Sequence, residues 1–235
     1  MAYNIESLTH EQIVRHIKER PAVIIPLGGC EPFGGVAAVG TESVCVAEIA
    51  GELSKRCNIL VAPLIPFGCS APFMSFAGSA GVKPRTFVNM LCDISHAYIF
   101  QGVKKIFLIN AAPFNKEPMA EAARRLEAKY PQVSVAAFDI NACMGSDAGI
   151  DRNDALLLSL LSYLRPELFT NEPICYNKIP QDQYRTWKKR GRDPQKLRKL
   201  SPNGLLLTSQ PDICSTRGQE YFELIVETIS KEMVF

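Results

Sequence analysis

The chain has 235 residues, 47% of them apolar, and a formal net charge of +2, which is ample for one well-buried α/β domain and leaves no reason to expect a second. No apolar run approaches the roughly 18 residues of a membrane span, and the N-terminus MAYNIESLTHEQ lacks a basic region followed by an apolar core, so a cytoplasmic protein is expected. Eight cysteines are scattered without a Cys-x-x-Cys pair, which reads as reduced core thiols rather than a disulfide framework.

In chain order, Thr9 with Gln12 forms a capping box for a helix to about Glu19, and Pro21 then separates that helix from the apolar run Ala22 to Leu27. That run ends at Gly28-Gly29 and reads as a buried strand entering a tight turn, which places Cys30, Glu31 and Phe33 at the ligand crevice of an open parallel sheet. Thr41 is expected to cap a helix over 42–56, whose residues Val44, Val46, Ile49 and Leu53 recur at helical spacing. A strand over 57–64 follows, then a helix over 85–101 and a strand over 104–110. Asn115 is expected to cap a helix to about Tyr130, ahead of a strand over 133–138 and helices near 151–163 and 218–231. Strands alternating with helices at this interval predict a single domain with a mostly parallel central sheet covered by helices on both faces.

Charge is unevenly placed. Between Arg185 and Lys199 eight basic residues face one acid, Asp193, while the rest of the chain holds 18 basic against 23 acidic residues. With Tyr184 and Trp187 nearby this could be an anion or nucleic-acid patch, but a polar, charge-rich insert over 180–200 is more simply a solvated excursion or an oligomer contact, and nucleic acid is not the expected partner.

Leu8-Thr9-x-Glu11 before a helix, then a strand, then Pro26-x-Gly28-x-x-Glu31-x-x-Gly34 and Gly40-Thr41 together resemble the creatininase (creatinine amidohydrolase) family. In that family the strand is followed by Glu-x-His, with an Asp eleven residues after the Glu, and these bind metal. Here Glu31 matches the Glu, Phe33 stands at the His and Glu42 at the Asp. The loop from Gly68 to Ser79 matches the frame of the next family loop with Phe73 in place of His. Asn110-Ala111-Ala112-Pro113-Phe114-Asn115 keeps both asparagines of the family's Asn-Gly-His-Gly-Gly-Asn and has Ala112 at the His. Of the family's His-Ala-Gly-x-x-Glu-Thr, the segment from Asp147 through Asp151 to Asn153 keeps only the Ala-Gly, and Pro211 to Gly218 resembles the segment before the family's last helix.

Zinc and manganese sites want imidazole or thiolate donors, commonly with a carboxylate. The chain has three histidines, His10, His16 and His96, none at a ligand position of the family. The resemblance therefore implies a creatininase-like fold whose metal centre is degenerate: no metal or other cofactor is expected, and the protein reads as a non-catalytic or ligand-binding subunit in a homo-oligomer or beside an active paralogue. The alternative is a metal-dependent amidohydrolase of cyclic amides or other non-peptide C–N bonds, holding Mg, Mn or Zn through Glu31, Glu42 and Asp151, with Glu31 and Asp147 as the catalytic candidates.

Three strand ends carry Pro-Phe: Pro32-Phe33, Pro72-Phe73 and Pro113-Phe114. Three phenyl rings there would either plug the old site or line a pocket for a flat or apolar small ligand, bounded by Cys30, Glu31, Phe33, Glu42, Cys69, Phe73, Asn110, Phe114 and Asn115. Cys30 and Cys69 lie in strand-end loops with no histidine in the matching motifs to activate either thiol.

Overall fold

The structure, a computed structural model, describes residues 2–144, 154–170, 173–175, 179–207 and 212–233. The apolar run after Pro21 becomes strand β2 (Ala22–Leu27), buried at every position. A strand buried on both faces needs neighbours on both sides. It has β3 (Leu60–Val61) on one side and β4 (Lys105–Asn110) on the other, with β1 (Tyr3–Asn4) and β5 (Ser134–Asp139) at the edges. All pairings are parallel, and β2 and β4 run in register from Ala22 beside Lys105 to Leu27 beside Asn110.

The period-two alternation of β2 divides the core into two layers. Val23, Ile25 and Leu27 join Ile106 and Leu108 of β4 beneath α3 (Pro84–Phe100) and α4 (Lys116–Lys129), meeting Phe87, Leu91, Met119 and Leu126. Ala22 and Ile24, with Phe107 and Ile109, face α2 (Thr41–Cys57), α5 (Asp154–Leu164) and α8 (Ser215–Glu232), meeting Ile49, Leu53, Leu157, Leu161, Ile225 and Ile229. Each such aliphatic side chain taken wholly out of water contributes about 1.5–3 kcal/mol, so the two layers account for the fold's main driving force. In the second layer α5 and α8 cross closely at Gly218, where an added Cβ would stand 2.0 Å from the carbonyl oxygen of Ser159.

Helix α1 (His10–Glu19) has the capping box expected of Thr9 and Gln12. Other boundaries differ from expectation for identifiable reasons. Thr41 is the first residue of α2 and not its cap; its hydroxyl donates back to the Ala38 carbonyl at 2.6 Å. The strand expected over 57–64 shrinks to Leu60–Val61, because α2 runs on to Cys57, Asn58 turns left-handed with φ 55°, and Pro63 and Pro66 offer no ladder N–H.

The basic stretch is not a loose excursion. It folds as α6 (Gln181–Lys189) and α7 (Pro194–Leu200), with Tyr184 and Trp187 only 1% and 3% exposed and the Trp187 indole N–H donating to the Asp193 carbonyl at 2.8 Å. Seven of its eight cations are exposed and Arg192 is half-buried, while Tyr184 and Trp187 anchor the segment to the first core layer and offer no face for stacking on bases. Among the described residues no helix is long and apolar enough to cross a membrane.

The chain leaves β2 for β3 on one side, then crosses back to β4 on the other. The strand order thus reverses beside β2, and the crevice beyond the carboxyl ends of β2 and β4 is where such a sheet presents ligand-facing groups.

Candidate functional site

The turn after β2 is built around the start of α2. A Cβ on Gly28 would lie 2.3 Å from Ser43 Oγ and 2.7 Å from Ser43 Cα, so only glycine lets the chain pass. Ser43 Oγ donates to the Gly29 carbonyl at 3.0 Å, and a Cβ on Gly29 would stand 2.2 Å from Glu42 Oε2 and 3.2 Å from the Ala112 methyl. The first turn of α2 therefore aims Glu42 into the strand-end crevice beside Ala112. Glu31 follows two residues after Gly29, its backbone N–H donating to the Val39 carbonyl at 3.1 Å, and both carboxylates are fully buried.

The Cys30 thiol is pushed up first by burial, then by Glu42 and Glu31. The Cys69 thiol is pushed up to about 12, by burial and then Glu31, with Arg192 opposing. Raised thiols are protonated at neutral pH, which removes the nucleophilic form from both cysteines.

Two asparagines tie the loops together. Asn115 Oδ1 accepts from the Cys69 backbone N–H at 2.7 Å, while its Nδ2 donates to the Gly28 carbonyl at 3.0 Å and to Asn110 Oδ1 at 3.1 Å. Asn110 closes the turn after β4, donating to the Ala112 carbonyl at 2.8 Å and accepting the Ala112 N–H at 3.2 Å. Asn115 sits at the N-cap position of α4 without capping it, since its side chain is committed to the loops after β2 and β3. A Cβ on Gly68 would stand 2.4 Å from Asn115 Oδ1, so that glycine also belongs to the arrangement.

The three phenyl rings do not converge. Phe73 and Phe114 meet edge to face at 5.8 Å in the first core layer, with Phe76 6.0 Å from Phe73, while Phe33 packs in the second layer with the α2 residues. The histidines are elsewhere. His16 Nε2 bonds the Asn58 carbonyl at 3.0 Å, His96 pairs with the Tyr130 hydroxyl and ring, and His10 opens α1. Glu31 and Glu42 are both fully buried, whereas Asp147 and Asp151 lie outside the described residues. Two carboxylates without imidazole do not fit a zinc or manganese pair, and among the described residues no group of three or more His, Cys, Asp or Glu side chains could hold a metal ion.

Sequence reasoning missed Ser43, Asp139 and Asn141. Asp139 ends β5, and its Oδ1 accepts both the backbone and side-chain N–H of Asn141 at 3.1 Å; Asn141 also donates to the Ala111 carbonyl at 3.1 Å. The available signal was position, an acid at the carboxyl end of a strand adjoining β4. Burial pushes the Asp139 carboxyl above its ordinary 3.8, against the Asn141 hydrogen bonds and the Lys116 charge. The folded pKa exceeds the unfolded one, so this group's contribution is fully present below the unfolded value and is lost as pH rises through the folded value. Asp139→Asn keeps an acceptor for Asn141 with no charge to desolvate. It is expected to stabilise the protein at neutral pH by roughly 1 kcal/mol and to flatten the stability profile on the acid side. Thermal melts across pH check this, and an unchanged profile refutes it.

The creatininase (creatinine amidohydrolase) family model matches residues 6–233. Among solved structures, a creatinine amidohydrolase superposes with a TM-score of 0.80 at 16% identity, covering 99% of this chain and 96% of that one. A manganese creatininase gives 0.76 at 18% identity with 99% and 98% covered, and a zinc–zinc creatininase mutant 0.74 at 16% with 99% and 97% covered. A 3-dehydro-scyllo-inosose hydrolase of Thermotoga maritima is 26% identical over 107 residues, 45% of this chain and about a third (34%) of that protein. The family match spans nearly the whole chain, and the superpositions share its parallel sheet; the chain belongs to the creatininase family.

Proposed function

We propose that this chain is a catalytically silent creatininase-family protein, a non-catalytic or ligand-binding subunit in a homo-oligomer or beside an active paralogue. The observation that carries the reading is the location of its imidazoles: all three are on α1 and α3, while the strand-end loops carry two buried carboxylates, with Glu42 beside Ala112. Without nitrogen donors a transition-metal pair has no set of ligands, and no water of lowered pKa is generated to attack an amide. The retained frame around Gly28, Asn110 and Asn115 supports a role that needs the shape of the family site but not its chemistry. All eight cysteines are free, which agrees with a reducing cytoplasm.

A second reading has one observation in its favour: the strand-end loops carry two fully buried carboxylates, Glu31 and Glu42, which could share an oxygen-loving cation in a metal-dependent amidohydrolase of cyclic amides. Metal analysis separates the two. Protein purified with added zinc, manganese or magnesium is expected to carry substoichiometric metal, unchanged in Glu31→Gln, and to leave creatinine intact. Stoichiometric metal lost in Glu31→Gln, with hydrolysis of a cyclic amide, overturns the proposal. Native mass spectrometry of the protein drawn from its own cells then identifies homo-oligomer or paralogue.

A further inference from the structure

Beside the carboxylates, the molecule has an open space that neither Glu31 nor Glu42 lines. A groove of about 660 Å³ runs between the first turns of α3 and α4 and the turn joining α6 to α7. That volume is in the range of small-molecule sites. Cys69, Phe114, Pro72 and Val88 give it an apolar lining, and Arg85, Arg125 and Arg192 give it a cationic one. The two lining carboxylates do not cancel these charges: Glu121 is held by Arg124 and Arg125, with the Arg125 contact at 2.7 Å, which leaves Glu117 against Arg85 and Arg192. Among the described residues neither Arg85 nor Arg192 has an ion pair.

Arg192 is held there against a backbone preference. Gly191 and Arg192 are both left-handed, with φ 91° and 56°, and for arginine that conformation costs energy that glycine would not incur. The strained turn lays the guanidinium over the Phe114 ring at 5.1 Å. One face is thereby occupied by the ring, while the planar fork of N–H donors stays at the groove wall. An apolar lining beside unpaired guanidinium donors suits an oxyanion carried on an apolar body.

We propose that the groove between α3, α4 and the α6–α7 turn binds a small organic anion, a carboxylate or phosphate ester on an apolar body, with Arg192 and Arg85 as its cationic contacts. This goes beyond the reading of the carboxylates: Glu31 and Glu42 do not line the groove, and metal found at them would leave the inference standing.

Thermal-shift and calorimetric titration of the full chain with benzoate, phenyl phosphate and the neutral control benzamide tests it. At millimolar concentrations at least one of the two anions is expected to bind and raise the melting temperature, the carboxylate and phosphate arms telling the two sources apart, while benzamide does not. Arg192→Gly tolerates the left-handed turn, so it is expected to fold and to lose roughly tenfold or more in affinity. Arg85→Ala, on the exposed first turn of α3, is expected to weaken binding as well and gives a second variant independent of the turn. No binding of either anion, equal binding of benzamide, or undiminished affinity in both variants overturns the proposal.

Discussion

Asn115→Ala is expected to destabilise the protein by about 3–4 kcal/mol, since a single truncation orphans two buried groups at roughly 1–3 kcal/mol each and removes a third hydrogen bond. Removing the amide leaves the Cys69 N–H and the Gly28 carbonyl without the partner that now lies 2.7 and 3.0 Å away, while Asn110 Oδ1 loses one bond and keeps the Ala112 N–H. A water entering the vacated space would recover part of the loss, which is why the sum is not larger. For a chain of this size the fall in melting temperature is about 6–16 °C. Asn115→Asp is the informative companion: it keeps an acceptor for Cys69 but turns the two donated hydrogen bonds into oxygen–oxygen contacts and buries a charge. It is expected to be worse than alanine at neutral pH and to recover on acidification. Chemical denaturation measures both, and a loss below about 1 kcal/mol for alanine, within the ordinary range for point mutants, would mean that the three loops hold their places without this residue.

The second large effect is expected at Gly218. Replacing a helical glycine by alanine normally gains up to about 1 kcal/mol, yet here the new methyl would stand 2.0 Å from the Ser159 carbonyl oxygen and 2.8 Å from Tyr163 Cβ. The obstructing oxygen is backbone and cannot rotate away, so α5 and α8 must separate. Overpacking of this kind costs about 1–3 kcal/mol or more, and Gly218→Ala is expected to lose roughly 2 kcal/mol net. A neutral or stabilised variant would show that the two helices slide apart freely. Gly218→Ser should fall between alanine and larger residues, giving a size series to read by thermal melts.

How much of this was legible in the sequence depends on whether the information was local. The capping box of Thr9 and Gln12, the buried run Ala22–Leu27 and the alternation of strands with helices rest on neighbours in the chain, and the structure has them. Asn115 was misread because an asparagine before a helix looks like a cap from one side only; the groups it bonds are Cys69 and Gly28, far away in sequence. Phe33 was grouped with Phe73 and Phe114 by a shared dipeptide, and no dipeptide can say which side of a sheet a ring will enter. Tyr184 and Trp187 carried a usable signal: two aromatics three positions apart on a helix share a face, which argues for an anchored segment. Glu31 and Glu42 were found because both flank glycine turns, but nothing local in the sequence joins Arg85, Phe114 and Arg192 into one groove, since they are far apart along the chain.

The crossing back from β3 to β4 also sets an order of assembly. Gly28 and Asn115, which one side chain joins, are 87 residues apart. On a ribosome the segment bearing Glu31 and Glu42 emerges first and stays hydrated until β4 arrives to roof it over. Loop closure of that length is slow and entropically opposed. A nascent chain stalled before β4 would therefore expose both acids together with the unpaired flank of β2.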